Sequence, residues 1–339
     1  MFHMRKEDDP LVHRDSSHDR ATLGRDGPPV SRIGLGLAAI GRPAYITTNR
    51  DADLGGDRSL GALQERTRQL LDAAYADGVR YVDVARSYGL AEAFLGEWIG
   101  SRGEVDDLVV GSKWGYTYVG NWDLTAPVQE VKNLSLATFA RQFNETRALL
   151  GDRLRLYQVH SLTIESGALD DVPLLAALAR RRAEGLLIGI TTTGPRQADT
   201  IRRALDTRVD GVPLFSSVQA TWNLLEPSAG PALSEASAAG WAVIVKEAVA
   251  NGRLTRVGDA GSADTPLGRV AALSGVEPDA LAIAAALAQR WVSVVLSGAA
   301  KVDQLTSNLG ALDVVVGDMP DLAEPPERYW AARSARPWA

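Results

Sequence analysis

The chain contains no cysteine, which excludes disulfides, thiolate metal sites and cysteine nucleophiles. Histidine is scarce too. Of four histidines, His3, His13 and His18 fall within the first 18 residues, and only His160 lies beyond them. A single histidine in the body of the chain is too little for a zinc centre, so no metal is expected. The three early histidines are read as part of a solvated tail. No apolar run approaches the roughly 20 residues that cross a bilayer. The opening MFHMRKEDDPLVHRDSSHDR also lacks the hydrophobic core of a signal peptide. Nor is there an excess of basic charge, because 36 Lys and Arg stand against 42 Asp and Glu for a net −6. Nucleic acid is therefore not an expected partner. These absences point to a cytoplasmic protein that acts on small molecules, with neither a membrane nor a nucleic acid involved.

What is present is ordinary globular composition, 45% hydrophobic and 23% charged over 339 residues. Residues 1–30 read as a polar, disordered tail and residues 31–339 as one domain. Within that domain, short β-branched runs mark strands at Arg32–Gly36, Tyr81–Val84, Leu108–Ser112, Leu154–His160, Leu187–Thr191, Ser217–Ala220, Ala242–Lys246 and Ser293–Leu296. They are continuous and apolar, as buried parallel strands are. Helical periodicity separates them, at Leu60–Asp77, Ala91–Ile99, Leu136–Leu150, Pro173–Glu184, Pro195–Leu205, Pro231–Ala239, Pro278–Gln289 and Val302–Leu309. This alternation predicts an α/β fold, a single-domain (β/α)8 TIM barrel. A doubly wound sheet would need a Gly-x-Gly-x-x-Gly turn after its first strand, and Arg32-Ile33-Gly34-Leu35-Gly36-Leu37 supplies only Gly-x-Gly.

Barrel enzymes build their sites at the carboxyl ends of the strands. There the sequence places Asp83, with Tyr88 five residues on, then Lys113, then His160. Each alone has a structural reading: a cap, a rim aromatic, a solvated lysine, a satisfied core histidine. Together they must share the barrel mouth, where unpaired burial is costly. A tyrosine beside a lysine held by an aspartate can serve as an acid–base group, and a nearby histidine can orient a carbonyl. That is a carbonyl site without a metal. No side chain donates hydride, so a nicotinamide cofactor is implied. Two long loops, 37–59 and 114–135, also leave this face. Trp114, Tyr116, Tyr118 and Trp122 in the second suggest an apolar substrate pocket, or else a loop packed for stability.

The string Asp83-Val84-Ala85-Arg86-Ser87-Tyr88-Gly89, followed by Ala91-Glu92 and Gly96, resembles the motif of the aldo-keto reductase family. Gly111-Ser112-Lys113 and Leu156-Tyr157-Gln158-Val159-His160 are similar to the family's lysine and histidine strands. The resemblance implies the same barrel, reduction of aldehydes and ketones, and an Asp83-Tyr88-Lys113-His160 tetrad with Tyr88 as general acid. It also implies cofactor contacts at Thr191, Thr192 and Gln219, and at Gly298, Lys301, Gln304 and Asn308 after the last strand; Lys246 is read either as a contact to a cofactor pyrophosphate or as a structural pair with Glu247. The chain departs from the family pattern at Thr192, at Lys246, where an aromatic often stands, and at Ala300, where many members carry arginine. Lys301 next door can serve a 2′-phosphate, so NADP(H) is favoured, with NAD(H) as the alternative. A monomer or small homo-oligomer is expected by the same resemblance. Two other functions stay open at this point: a non-catalytic nucleotide-binding sensor or subunit, and a barrel lyase using Lys113 as a Schiff base.

Overall fold

The computed structural model describes residues 20–46 and 53–338. Eight parallel strands close into a barrel in chain order. They are β1 (Ile33–Gly36), β2 (Tyr81–Asp83), β3 (Val109–Trp114), β4 (Leu154–Leu162), β5 (Leu187–Thr192), β6 (Ser217–Thr221), β7 (Ala242–Lys246) and β8 (Val294–Ser297). β8 pairs back onto β1 through Leu296 and Gly34, which leaves the barrel sheet without an edge. All eight expected strands are found.

The helices follow from the same periodicity. In α1 (Leu60–Ala76) the buried positions Leu63, Thr67, Leu70, Leu71 and Ala74 form one stripe, and the Ser59 side chain caps the start by accepting from the Ala62 amide. The outer layer continues with α2 (Ala91–Ser101), α3 (Leu136–Leu150), α4 (Val172–Ala183), α5 (Gln197–Leu205) and α6 (Gly230–Ala238). Then come α7 (Pro266–Ser274), α8 (Pro278–Leu287), α9 (Val302–Leu309) and α10 (Pro326–Ser334). α7 and α10 are not among the expected helices. Both are short and begin on proline, and α10 is largely polar, so neither carries a strong apolar stripe. α8 is buried on all sides.

Part of the expected tail is structured. Arg20–Thr22 and Pro29–Ser31 form an antiparallel hairpin. Its Leu23 and Val30 pack with Tyr81, Val109, Leu156, Ala242, Ile244 and Val294 to close the barrel floor. Residues 20–30 therefore belong with the barrel and not with a tail, because these two apolar side chains fill its open amino end. The tail reading of residues 1–19, with their three histidines, lies outside the described residues.

Inward and outward side chains alternate along each strand. On β2 the inward pair is Tyr81, in the floor, and Asp83, two residues nearer the mouth. Tyr81 fills so much of the interior that a Cβ at Gly111 would lie 2.2 Å from its hydroxyl. The floor is thus apolar and sealed, and the polar residues are lifted to the carboxyl end.

Candidate active site

At the mouth the inward residues of β2, β3, β4 and β6 meet. The Lys113 ammonium pairs with Asp83 Oδ1, both fully buried, and also donates to the Val84 carbonyl at 3.0 Å. Asp83 Oδ2 accepts from Gln219 Nε2 at 2.8 Å and from the Tyr81 hydroxyl at 3.4 Å. Several donors thus share the carboxylate, which is the condition under which a buried ion pair is tolerated. This geometry also disfavours the Schiff-base reading: Lys113 is enclosed and ion-paired to Asp83, whereas a nucleophilic lysine must be unpaired and reachable.

Tyr88 reaches the site from the loop after β2. That loop lies directly on the loop after β1, with the Leu90 amide donating to the Gly41 carbonyl at 2.8 Å. The approach depends on two glycines. A Cβ at Gly41 would lie 2.2 Å from the Tyr88 carbonyl oxygen, and Gly89 has φ +59° with its own Cβ position 2.3 Å from the Gly41 oxygen. Held there, the Tyr88 ring lies 4.8 Å from Lys113 Nζ and edge-on to His160 at 5.7 Å between ring centres. His160 is presented by an irregularity in β4, where pairing with β5 shifts between Val159 and Leu162. Ser161 takes φ +50° there, and its amide is captured by Thr191 Oγ1 at 2.7 Å.

The protonation states follow from burial and charge. Burial first, and then the Asp83 carboxylate, push the Tyr88 hydroxyl well above its ordinary range, against a smaller downward pull from Arg42. The phenol is therefore protonated near neutrality and can act as a donor. Burial, followed by Lys113, Lys246, Arg42 and Lys132, holds His160 well below the usual imidazole value. It is a neutral imidazole, and its buried Nδ1 has no hydrogen-bond partner among the described residues.

The residues assigned to a cofactor separate into two groups. Thr191, Gln219 and Lys246 face inward around the mouth. Thr192 faces outward instead, its hydroxyl 3.3 Å from Gln197 on α5, as the two-residue pleat requires when Thr191 points in. Gly298, Gln304 and Asn308 line a cleft of about 530 Å³ between the loop after β7 and the start of α9. Barrels commonly hold a phosphate near the loops after strands seven and eight. A Cβ at Gly298 would meet nothing within 4 Å, so the backbone there is open to a ligand. Gln304 bridges the Ala300 amide and Asp53 at 2.9 and 2.8 Å. Asn308 accepts from Ser297 and donates to Asp279, both at 2.7 Å. Lys301 stands 3.8 Å from Asp53.

Comparison with known proteins decides the family. The model described as Aldo/keto reductase family matches residues 33–320. The chain belongs to the aldo/keto reductase family. This family implies oxidoreduction with a nicotinamide cofactor. Protein tas of Escherichia coli strain K12 is 24% identical over 338 residues, covering 85% of this chain and 91% of its own. The aryl-alcohol dehydrogenase [NADP(+)] of Phanerodontia chrysosporium is 34% identical over 95 residues, 27% of this chain and 22% of its own. Among solved structures, the holo form of aldo-keto reductase AKR11C1 from Bacillus halodurans superposes with a TM-score of 0.65 at 21% identity, covering 93% of this chain and 96% of that one. The last likeness concerns the fold.

In this aldo/keto reductase the four loop aromatics part company. Trp114 is fully buried and packs edge-on against Phe139 of α3 at 5.1 Å. It is a core residue and does not line the mouth. Tyr116 does reach it, with its ring 5.0 Å from His160. Tyr118 and Trp122 brace the loop: the Tyr118 hydroxyl accepts from the Trp122 amide at 3.0 Å within it, and the indole donates to the Arg58 carbonyl of the loop after β1 at 3.1 Å. With Gly89 and Leu90 they line a smaller cleft beside Tyr88.

Other residues of the reductase's mouth carry no motif in the sequence. Arg42 is buried between the Ser87 carbonyl, at 2.7 Å, and Glu130, at 2.5 Å. Its guanidinium lies 5.5 Å from the rings of Tyr88 and Tyr45 and 4.6 Å from that of Trp338. Glu247 leaves β7 with φ +58° and accepts a forked pair from Arg333 of α10, with Nε 3.0 Å from each oxygen. The C-terminal segment thereby closes one side of the mouth. Only the acid at 247 beside Lys246 was visible as a departure. Its partner lies 86 residues on.

Proposed function

We propose that this chain interconverts an aldehyde or ketone with the corresponding alcohol, using a nicotinamide dinucleotide and Tyr88 as proton donor. The observation that carries the reading is the convergence of a protonated Tyr88, a neutral His160 and the buried Lys113–Asp83 pair on one barrel face. Bound, the dinucleotide supplies or accepts the hydride at the carbonyl carbon. His160 orients the carbonyl by a hydrogen bond to its oxygen. Tyr88 gives its proton to that oxygen as the carbon–oxygen double bond is reduced, and takes it back in the reverse direction. The Lys113 ammonium, 4.8 Å from the Tyr88 ring centre, favours the phenolate left behind, and Asp83 holds it in place.

The residues fit a dinucleotide. Lys246 offers a cation at the mouth, Gly298 leaves its backbone uncovered, and the cleft beyond provides the room. Its lining bears on which nucleotide. Asp53, Glu277, Asp279 and Asp303 border the cleft, and its one lining cation among the described residues, Arg256, is paired with Glu277. Lys301, the basis for favouring NADP(H), has Asp53 beside it. Carboxylates accept from ribose hydroxyls and repel a 2′-phosphate, so the charges support NAD(H) over NADP(H). A small carbonyl or alcohol substrate acting in the cytoplasm completes the reading.

Quenching of tryptophan fluorescence by NADH and NADPH tests the cofactor. Tyr88→Phe tests the chemistry: turnover should fall about 10²–10⁴-fold while nucleotide affinity holds. A sensor would show nucleotide binding with no turnover in either protein. Absence of binding by both nucleotides would sink the hydride-transfer reading.

A further inference from the structure

The charges gathered at the mouth do not cancel. Five cations stand there: Arg42, Lys113, Lys132, Lys246 and Arg333. Three acids face them, and each is already committed: Asp83 to Lys113, Glu130 to Arg42, and Glu247 to Arg333. Two ammonium groups are left over, in a chain whose net charge is −6. The surplus is therefore a local construction and not a reflection of composition.

The two surplus cations sit on different sides. Lys246 lies on β7, donating to Thr221 Oγ1 at 2.8 Å, and its nearest carboxylate is Glu247 at 3.9 Å. This is the side that continues toward the Gly298 cleft, and an anionic phosphate of the dinucleotide would compensate it. Lys132 lies on the other side. It belongs to a hairpin formed by Tyr116–Tyr118 and Glu130–Lys132, directly opposite Tyr116. Its ammonium donates to the Ser161 carbonyl at 2.7 Å and stands 5.7 Å from the centre of the Tyr116 ring. Ser161 is the residue after His160, and the Tyr116 ring packs on His160 itself. Among the described residues Lys132 makes no ion pair, and it is exposed beside the residue that follows His160.

We propose that the carbonyl substrate carries a carboxylate, and that Lys132 receives it while Tyr116 covers the adjoining apolar part. The inference rests on the carbonyl-reductase reading above, which places the reacting oxygen between Tyr88 and His160. A carboxylate a few ångströms beyond that oxygen, on the His160 side, meets the one cation there without a carboxylate of its own. Lys132 is exposed, so the attraction falls in the range of exposed pairs, up to about 1 kcal/mol or roughly fivefold in affinity. It is screened by salt.

The test uses the full-length enzyme with its preferred nucleotide and a matched pair, 4-carboxybenzaldehyde and 4-methylbenzaldehyde. The wild type should favour the carboxylated aldehyde by about fivefold in kcat/KM, through KM, and the preference should shrink in 0.5 M salt. Lys132→Met should bring the ratio of the two substrates to about one, again through KM. Lys132→Arg, which keeps the charge, should restore it. Nucleotide affinity, read by tryptophan quenching, should be the same in all three proteins. Equal use of both aldehydes by the wild type would overturn the proposal, as would a Lys132→Met variant that keeps the preference or loses kcat alone. Failure to reduce either aldehyde and to bind either nucleotide would overturn the underlying reading, and this inference with it.

Discussion

Glu247 offers a quantitative test of how the mouth is held together. Its side chain is 8% exposed and that of Arg333 20%, so their interaction is only weakly screened. Burial alone would raise the Glu247 pKa. Arg333 and Lys246, with hydrogen bonds from Arg333 and Thr221, outweigh it and hold the carboxyl at about 2, against an ordinary 4.5. A carboxyl depressed to that extent in the fold contributes about 3 kcal/mol at neutral pH. The sign is that of a lowered acid: the contribution is complete above pH 4.5 and declines as pH falls through the folded value. Glu247→Gln keeps the shape and removes the charge, so it should cost about 3 kcal/mol at pH 7 and roughly half that at pH 3. Urea unfolding of both proteins at the two pH values measures this. Arg333→Met should cost at least as much, since it leaves the carboxylate buried beside Lys246 alone, and the double variant should cost less than the sum. A loss under 1 kcal/mol at pH 7, or the same loss at both pH values, would refute the argument.

Other consequences follow from the same geometry. Burial holds Lys246 at about 8, so nucleotide affinity should weaken as pH rises through that value. Lys246→Met should bind less tightly and lose the pH dependence, as quenching titrations from pH 6.5 to 9.5 would reveal. NADH should bind more tightly than NADPH, by about tenfold for a difference of 1.4 kcal/mol, and Asp303→Asn should narrow the gap. Tighter binding of NADPH by the wild type would contradict the charge reading of the cleft. Gly41→Ala must displace the Tyr88 backbone, so kcat should fall about 10²-fold while nucleotide quenching is retained. Unchanged kcat would show that the loop contact does not position the tyrosine.

The order of strands and helices was legible because it is local. Apolar runs and 3.6-residue periodicity report burial of one stretch against whatever covers it, and they located every barrel strand. The tetrad was legible for a related reason: in a barrel, strand ends necessarily meet, so Asp83, Lys113 and His160 could be assigned to one face before any contact was known. The hairpin at 20–31 was missed because it is short and polar in composition, and only Leu23 and Val30 reveal that it has a floor to cover. Trp114 was assigned to the pocket because its loop is aromatic, yet it ends β3 on the face that packs against Phe139. Thr192 was misjudged in the same way, since one step along a strand exchanges inside for outside.

The sequence by itself therefore determined the barrel and which side chains meet at its mouth. These depend on patterns within single segments and on a topology that leaves few alternatives. Tertiary structure alone decided the charge balance of the mouth. Glu247 finds Arg333, Glu130 finds Arg42, and the acidic cleft forms around Lys301, because ion pairing depends on distances between residues far apart in the chain. Those distances exist only once the barrel has closed.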